Sequence, residues 1–599
     1  MTIQSEQQKI QYLDGKRFRV AFLAGADAVI ADQAYLNKIN VFPVPDSDTG
    51  TNLTSTVQAI SAEIPNDSDL DKVLKGASEA ALTGSRGNSG IILSQFIYGL
   101  SKSFKGKEKV NIHEFAHAVN ESIHHVYTSL MNPVEGTIIS VMKKWGEALT
   151  HEIHKSDDFV EVLRHSYDAA LEALKNTPNQ LKVLKDANVV DSGAKGFVDI
   201  LEGMQSFIQN GNLRNVSHYD LPTPQVGSHE FLKGDDIKYR YCTEALLENC
   251  SIDFIELKNN AKQYGDSVVV AGSPERLRLH MHTNEPALLF EYLQEKATLR
   301  QIKADDMLRQ YQASHEAKYK IALVTDSAGD LPPEFINEHQ IHVIPVNIIF
   351  GDNNYLDKIT MTAKQFYQMM DNAPMHPTTS QASLANVKNL FAFLSTHYET
   401  VISVHLAGKL SGMYQQAKIA SEEFDNVHVI DSFNISASQA LVVCKIQQQI
   451  LDGKSVEDII ATVEALKANS HLFVDVVTMK YLVRSGRVSP MKGRVANLLN
   501  LKPIISLADD GSVKSSGASV TRNGNQKKIL DRIAKLSQEK KLWNYAIVHG
   551  EAVDRAEEYA SKLTQLTGRP PLFIEDISPA LGVHNGRGVI GVGIMFDEN

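Results

Sequence analysis

Cysteine is scarce: only Cys242, Cys250 and Cys444 occur in 599 residues. Three scattered thiols cannot form a disulfide framework, so a reducing, cytoplasmic setting is the expectation. Long apolar runs are missing too. None reaches the ~18 residues that a membrane span needs, so no integral membrane segment is expected. Met1–Phe18 is polar and lacks the apolar stretch of a secretory signal. An excess of positive charge is absent as well. The net charge of −11 argues against a dedicated nucleic-acid binder and against a polybasic membrane-surface protein. No internal repeat and no low-complexity tract interrupts the chain. What is present is ordinary globular material, 43% hydrophobic and 22% charged. At roughly 100–200 residues per domain, the length suggests about three to five domains.

Three textures divide the chain. Residues 10–210 are helical in pattern. Across Asn111–Leu130, Phe115, Ala118, Val119, Ile123, Val126, Tyr127 and Leu130 recur on one face. Val160–Leu174 and Val198–Ile208 repeat that spacing, and an all-α bundle is the simplest fold. Residues 211–236 carry Pro222, Pro224, Gly227 and Gly234 and suit a linker. Residues 237–316 suit a small α/β unit, with strands at Arg240–Leu247, Asp266–Ser273 and Arg276–Thr283 and a helix at Glu285–Glu295. Residues 318–597 alternate Val/Ile runs with helices. Ile321–Val324, Val343–Phe350, Val401–Leu406, Val427–Ile430, Phe473–Val477 and Tyr545–Val548 look like buried parallel strands of a two-lobed α/β domain.

The segment Asn37–Asn52 is the sharpest local signal. Pro43 and Pro45 impose an extended approach, and Asp46 and Asp48 follow two residues apart ahead of Gly50. Carboxylates so close repel unless a cation neutralises them, and Mg²⁺ takes such ligands together with substrate phosphates. An EF-hand is excluded because Gly50 and Val57 stand where it needs ligands. The alternative is an Asx turn that caps the next helix. A second loop, Gly84-Ser-Arg-Gly-Asn-Ser-Gly90, runs into an apolar helix and could aim backbone N–H groups at an anion, or serve packing alone. Loops at Asn132–Thr137 and Val190–Gly196 also stand at helix ends, as if one end of a bundle carried functional loops.

In Arg276–Thr283, Leu277, Leu279 and Met281 alternate with Arg276, Arg278, His280 and His282. On a strand the two imidazoles point the same way, roughly 6–7 Å apart. With Cys242 from a neighbouring strand they would form a three-ligand zinc site with an open fourth position. The alternative is two exposed histidines beside a half-buried thiol. In the last third, Ile321–Pro332, His376–Ser383 and Lys409–Ala417 place hydroxyls near helix starts, which suits a carboxylate or phosphate. Helix capping is the competing account of each.

These motifs occur in an order that resembles known families. Asn40–Asn52, Ser85–Gln95, Pro133–Thr137 and Val189–Gly196 resemble the DhaL-type nucleotide domain of bacterial fatty acid kinase A, related to dihydroxyacetone kinases. Tyr241–Glu244 and His280–Glu285 resemble that protein's middle domain. Val324–Ser327, Pro377–Gln381, Leu410–Gly412, Val429–Ser432, Tyr481–Arg487, Leu499–Pro503 and Gly582–Gly586 resemble the DegV fatty acid binding family. The resemblance implies a multidomain fold: an N-terminal all-α helical barrel, a small α/β middle domain and a C-terminal two-lobed α/β domain. It implies ATP and two Mg²⁺, with Asn40, Asp46 and Asp48 on the metal and Thr49, Thr51, Asn52, Asn88 and Ser89 around the nucleotide. It associates Cys242, His280 and His282 with a metal, for which Zn²⁺ is the candidate. It places Thr379 and Ser411 on a fatty acid carboxylate with His584 nearby, and Arg487 and Arg522 as catalytic cations by the head group. Ser47, Met413 and Asn585 depart from the families' usual residues.

The expected activity is ATP-dependent phosphorylation of a fatty acid held by the C-terminal domain, giving an acyl phosphate and ADP. The expected partners are the fatty acid, a second copy in a homodimer and an acyltransferase that accepts the product. A non-catalytic lipid-binding regulator and a dihydroxyacetone-type sugar kinase are the alternatives. The sugar kinases hold their substrate covalently on a histidine of a separate domain, for which no match exists here.

Overall fold

The computed structural model describes residues 9–43, 48–210, 237–486 and 501–597. Two compact units emerge: residues 1–285 with 295–308, and residues 286–294 with 309–599.

In the first unit, long helices form a closed ring. They are α1 (Gly15–Ala31), α3 (Thr49–Glu63), α4 (Leu70–Gly84), α5 (Gly87–Ser103), α6 (Ile112–Ser129), α7 (Ile138–Glu152), α8 (Phe159–Lys175) and α11 (Ser192–Asn210). Short helices α2 (Gln33–Lys38), α9 (Thr177–Gln180) and α10 (Lys182–Asp186) connect them, and two-residue strands β1 (Leu13–Asp14) and β2 (Lys109–Val110) pair at one edge. Local sequence starts these helices. Asn111 and Glu114 form a reciprocal capping box on α6, and Asp14, Asp69 and Asp158 cap α1, α4 and α8. The apolar faces meet inside the ring, where Phe96, Phe115, Trp145, Phe159 and Phe197 pack edge to face or tilted.

The same unit carries an antiparallel sheet of β3 (Tyr241–Glu248), β4 (Gly265–Ser273), β5 (Arg276–Thr283) and β6 (Thr298–Asp306), in the order β4-β5-β3-β6. Strand β6 escapes the sequence reading because its polar residues mask any alternation. One sheet face lies on the helical ring. Leu246, Val269 and Ala271 pack with Leu82 and Ile91, and the Met131 N–H donates to the Val268 carbonyl at 3.2 Å.

The second unit has three sheets. Parallel strands β7 (Ile321–Asp326), β8 (His342–Ile344), β12 (Thr400–His405) and β13 (Val427–Asp431) order as β13-β12-β7-β8. A small antiparallel sheet holds β9 (Asn347–Phe350), β10 (Asn353–Leu356) and β11 (Thr378–Ser380). The expected single strand Val343–Phe350 is therefore two strands in different sheets, because Pro345 lacks the N–H that would continue the ladder. The third sheet, β16-β15-β14-β19-β17-β18, comprises β14 (Ser470–Asp475), β15 (Lys502–Leu507), β16 (Val513–Ser519), β17 (Leu542–His549), β18 (Ile574–Asp576) and β19 (Ile590–Phe596). Strands β14 and β17 pair antiparallel with β19, against the expectation of parallel pairing. An unbroken apolar run reports burial on both faces but not strand direction. Here helix Ser436–Leu451 covers one face, so close that a Cβ on Gly593 would lie 2.6 Å from Ala437 backbone. Ile529, Ile533, Tyr559 and Leu563 cover the other.

At the C-terminal end of β14, an inner strand of this sheet, the fully buried Asp475 carboxylate gathers donors. Arg522 and Arg555 approach it at 3.1 Å, Asn525 at 2.9 Å and the Tyr559 hydroxyl at 3.2 Å. Removing this anion leaves two guanidinium groups facing each other. Asp475→Ala is expected to destabilise the second unit by about 3 kcal/mol, read as a lower urea midpoint for that unit's transition. An unchanged midpoint would show that the cluster does not hold the sheet to its helices.

Candidate functional site

The helical ring brings several helix starts together. Gly87 opens α5 with φ +60°, and a Cβ there would lie 2.4 Å from the Asn52 amide nitrogen near the start of α3. Only glycine fits both the dihedral and the approach. A Cβ on Gly193, in the first turn of α11, would lie 2.5 Å from the Ser89 hydroxyl. The starts of α3, α5 and α11 thus converge, and N-terminal amides with their dipoles favour an anion. Thr49, Asn52, Asn88 and Ser89 all stand at these starts. The Asn88 Oδ1 is buried without a hydrogen-bond partner, an acceptor suited to a cation or a ligand donor. Thr51 is tied to α2: its hydroxyl accepts from Asn37 at 3.0 Å and from Gln33 at 3.3 Å.

Asp48 occupies the N-cap of α3, yet its carboxylate makes no capping hydrogen bond, unlike the Asx-turn alternative. It exerts a charge effect on Cys242 and Lys303. Asn40 is buried nearby in the chain. Asp46 and Ser47 lie outside the described residues, as does Arg487.

Asp191, just before α11, accepts the Ala194 N–H at 2.8 Å and the Ile138 N–H at the start of α7. Burial outweighs these bonds and pushes its carboxyl up to about 7. Four residues on, Lys195 pairs with Asp32 at 2.5 Å and with Asp199, whose carboxyl burial also raises to about 7.

The sheet of the first unit presents its polar face to the helices. Register places Cys242 opposite His282 and Glu244 opposite His280 on β3 and β5, with Asp305 and Lys303 opposite the same pair on β6. The sequence alternative of exposed histidines is overturned: His280 is 1% and His282 7% exposed, and Arg278 is fully buried. The imidazole centroids stand 5.3 Å apart. Ligand atoms of Cys242, His280 and His282 all lie within 4.8 Å of one another. Burial, with His280 beside it, lowers His282 to about 3, so it is a neutral donor at any physiological pH. The His280 Nε2 is buried without a partner. A soft thiol, two imidazoles and an orphaned ring nitrogen fit zinc. Burial pushes the Cys242 thiol well up, so metal binding must displace its proton.

In the second unit, the sequence-predicted hydroxyl loops line one narrow apolar cavity. Thr379, Ser411 and His584 share its wall with Leu472, Val474, Ile505, Leu507 and Val513. The Thr379 hydroxyl and His584 Nε2 are 3.2 Å apart. Ser411 accepts the Met413 N–H at 3.3 Å. Met413 is fully buried and its sulfur accepts the Ala382 N–H at 3.2 Å, so the departure at this position serves packing. Arg522 does not line the cavity; its guanidinium is engaged by Asp475, a partner the sequence spacing cannot reveal.

Sequence reasoning assigned no role to Glu244, Arg278 or Lys303. Their strand alternation with Cys242, His280 and Asp305 was the available signal. It also missed a buried chain in the second unit, from Ser403 to His405 at 2.8 Å and His405 to Asp326 at 3.1 Å.

A family model of the DAK2 domain matches residues 43–206. The fatty acid kinase A-like middle domain matches 238–314, and the DegV family, described as uncharacterised proteins, matches 320–597. The uncharacterized protein SERP0792 of Staphylococcus epidermidis is 32% identical over 345 residues, 54% of this chain and 62% of that one. The uncharacterized protein SAB1090 of Staphylococcus aureus is 32% identical over 341 residues, with the same shares. The chain thus spans less than two thirds of the length of these curated relatives. Among solved structures, a fatty acid binding DegV family protein from Thermus thermophilus is 25% identical, covering 46% of this chain and 99% of that one, with a TM-score of 0.44. DegV, a fatty acid binding protein from Bacillus subtilis, is 27% identical over 47% and 100%, with a TM-score of 0.43. Among the described residues no helix is long and apolar enough to cross a membrane.

The raised Asp191 carboxyl sets a pH dependence. Unfolded, it loses its proton near 3.8; folded, near 7. The folded state binds the extra proton between these values. That stabilisation is complete below the lower value and lost as pH rises through the upper one. Asp191→Asn stays neutral, so its stability relative to wild type should improve by up to ~3 kcal/mol between pH 5 and pH 8. Parallel urea titrations at the two pH values check this, and a constant difference would show that Asp191 ionises normally.

Proposed function

From a chain that joins a DAK2 domain, a fatty acid kinase A-like middle domain and a DegV domain, we propose an ATP-dependent fatty acid kinase. One observation carries the reading: the same polypeptide holds converging helix starts suited to polyphosphate and, in its other unit, an apolar cavity with Thr379, Ser411 and His584 on its wall.

In this reading the acyl tail lies against Leu472, Val474, Ile505, Leu507 and Val513. Thr379 and Ser411 hydroxyls donate to the carboxylate, with His584 orienting Thr379. Amides at the starts of α3, α5 and α11, other than those of Thr51, Gly87 and Ala194 that Asn37, Glu244 and Asp191 already accept, hold the nucleotide phosphates, assisted by Thr49, Asn52, Asn88 and Ser89. Thr51 acts from behind by fixing α2 to α3. Asn40, Asp46 and Asp48 would hold magnesium, which when bound neutralises phosphate charge. The fatty acid carboxylate is ionised at neutral pH, so its oxygen attacks the γ-phosphorus without a general base. The bond to ADP breaks and an acyl phosphate forms. Positioning and charge stabilisation do the catalytic work. The reaction requires the two sites to meet, within one chain or between two copies. Arg487 is the candidate head-group cation; Arg522 supports the lobe through Asp475. An acyl phosphate is a reactive mixed anhydride, so an acyltransferase is the natural consumer.

The test is direct. Protein, Mg-ATP and oleate should yield an acyl phosphate trapped as a hydroxamate by hydroxylamine. Asp48→Asn should lower the rate at least ~100-fold. Thr379→Val with Ser411→Ala should weaken oleate binding by roughly tenfold or more while sparing nucleotide binding. Mg-ATP binding with no hydroxamate at all would favour a non-catalytic lipid-binding regulator.

A further inference from the structure

Glu244, on β3, is fully buried and uses both carboxylate oxygens. Its Oε1 accepts the Gly87 N–H at 2.6 Å and lies 3.3 Å from His280 Nδ1. Its Oε2 accepts from Arg278 at 2.9 Å. The Gly87 N–H belongs to the first turn of α5, where helical donors lack intrahelical partners. The carboxylate thus sits on the turn that carries Asn88 and Ser89. On its other side it touches His280 Nδ1, which also lies 3.8 Å from the Cys242 Sγ, while the second ring nitrogen, Nε2, is buried and unpartnered. A histidine that gives one ring nitrogen to a metal commonly donates the other to a carboxylate, which fixes the ring and raises its basicity. Arg278 clamps Oε2 and so leaves Oε1 to Gly87 and His280 together.

We propose that Glu244 is a positioning residue that couples zinc in the Cys242/His280/His282 cluster to nucleotide binding at the start of α5. The inference rests on the reading of the helix starts as a phosphate site. With His280 held by a metal, the Glu244 carboxylate has one orientation, and the Gly87 turn is held with it. Without the metal, the ring and the carboxylate reorient together, and the amides of α5 lose their preset direction. Two ligands that bias one shared element must affect each other reciprocally.

The test uses the full-length chain with zinc and Mg-ADP as probes, since ADP allows no turnover. In wild type, removing zinc with a chelator should weaken Mg-ADP binding at least ~fivefold by calorimetry, and Mg-ADP should tighten zinc binding by the same factor. Glu244→Gln should lose roughly 10- to 100-fold in zinc affinity, and when zinc-loaded should bind Mg-ADP no better than when zinc-free. Because Gln leaves Arg278 charged and buried, Glu244→Gln/Arg278→Met is the second variant, with thermal melting to show that it folds. It should show the same loss of coupling. Equal Mg-ADP affinity of zinc-loaded and zinc-free wild type would overturn the proposal while leaving the nucleotide site standing. Zinc dependence that survives in both variants would do the same. Zinc binding without any nucleotide binding in wild type would overturn both readings.

Discussion

The Glu244 carboxylate on the Gly87 N–H is the contact around which the first unit is organised. A buried anion there would be costly alone. Arg278, fully buried itself, neutralises it, and burial in turn lowers Arg278 to about 10. The Glu244 carboxyl is held well below its usual range: burial opposes the charge, but His280, Arg278 and Lys303 outweigh it. Such a cluster has no apolar fallback, since loss of one member strands another charge in the interior. The sheet must therefore dock in one register, and that register sets Cys242 beside His282 and both beside the helix starts.

The second unit solves a different problem with similar means. Its cavity is mainly apolar, with Thr379, Ser411, Ser436, Ser506, His584 and Asn585 as its polar lining. Of the two arginines that the family resemblance placed beside them, Arg522 is engaged by Asp475 and Arg487 lies outside the described residues. Arg522 and Arg555 converge on Asp475, and Lys358 meets Asp330 at 3.0 Å, where Ser436 and the Ser578 N–H also converge. These clusters join strand ends to helices.

Much of this was legible in the sequence where the signal is local. The 3.6-residue spacing located α6 and α8 within a residue or two. Period-two alternation located β5 and put its imidazoles on one side. Glycine-rich turns marked the start of α5. Asp48 was readable as a candidate because its chemistry is carried by its neighbours in the chain, whereas Asn88 came only with the family resemblance. Strand direction around β19 was not readable, since an apolar run has no polarity. The role of Arg522 was not readable either, because its partner lies 47 residues away.

By itself the sequence determined many of the elements, the order of the domains and the residue types available to each site, because periodicity and turn chemistry act over a few residues. Only the tertiary structure decided which polar face is buried. Nothing in Arg276–Thr283 distinguishes a solvated Arg/His face from one pressed against helix starts. That depends on Gly87, Asn52 and Leu82, far away in the chain, and on a glycine whose missing side chain lets two helices and a carboxylate meet. Desolvation and close approach are properties of the assembled molecule, so the burial of Cys242, His280 and His282, the lowered His282 and the contact through Glu244 appear only once the chain has folded.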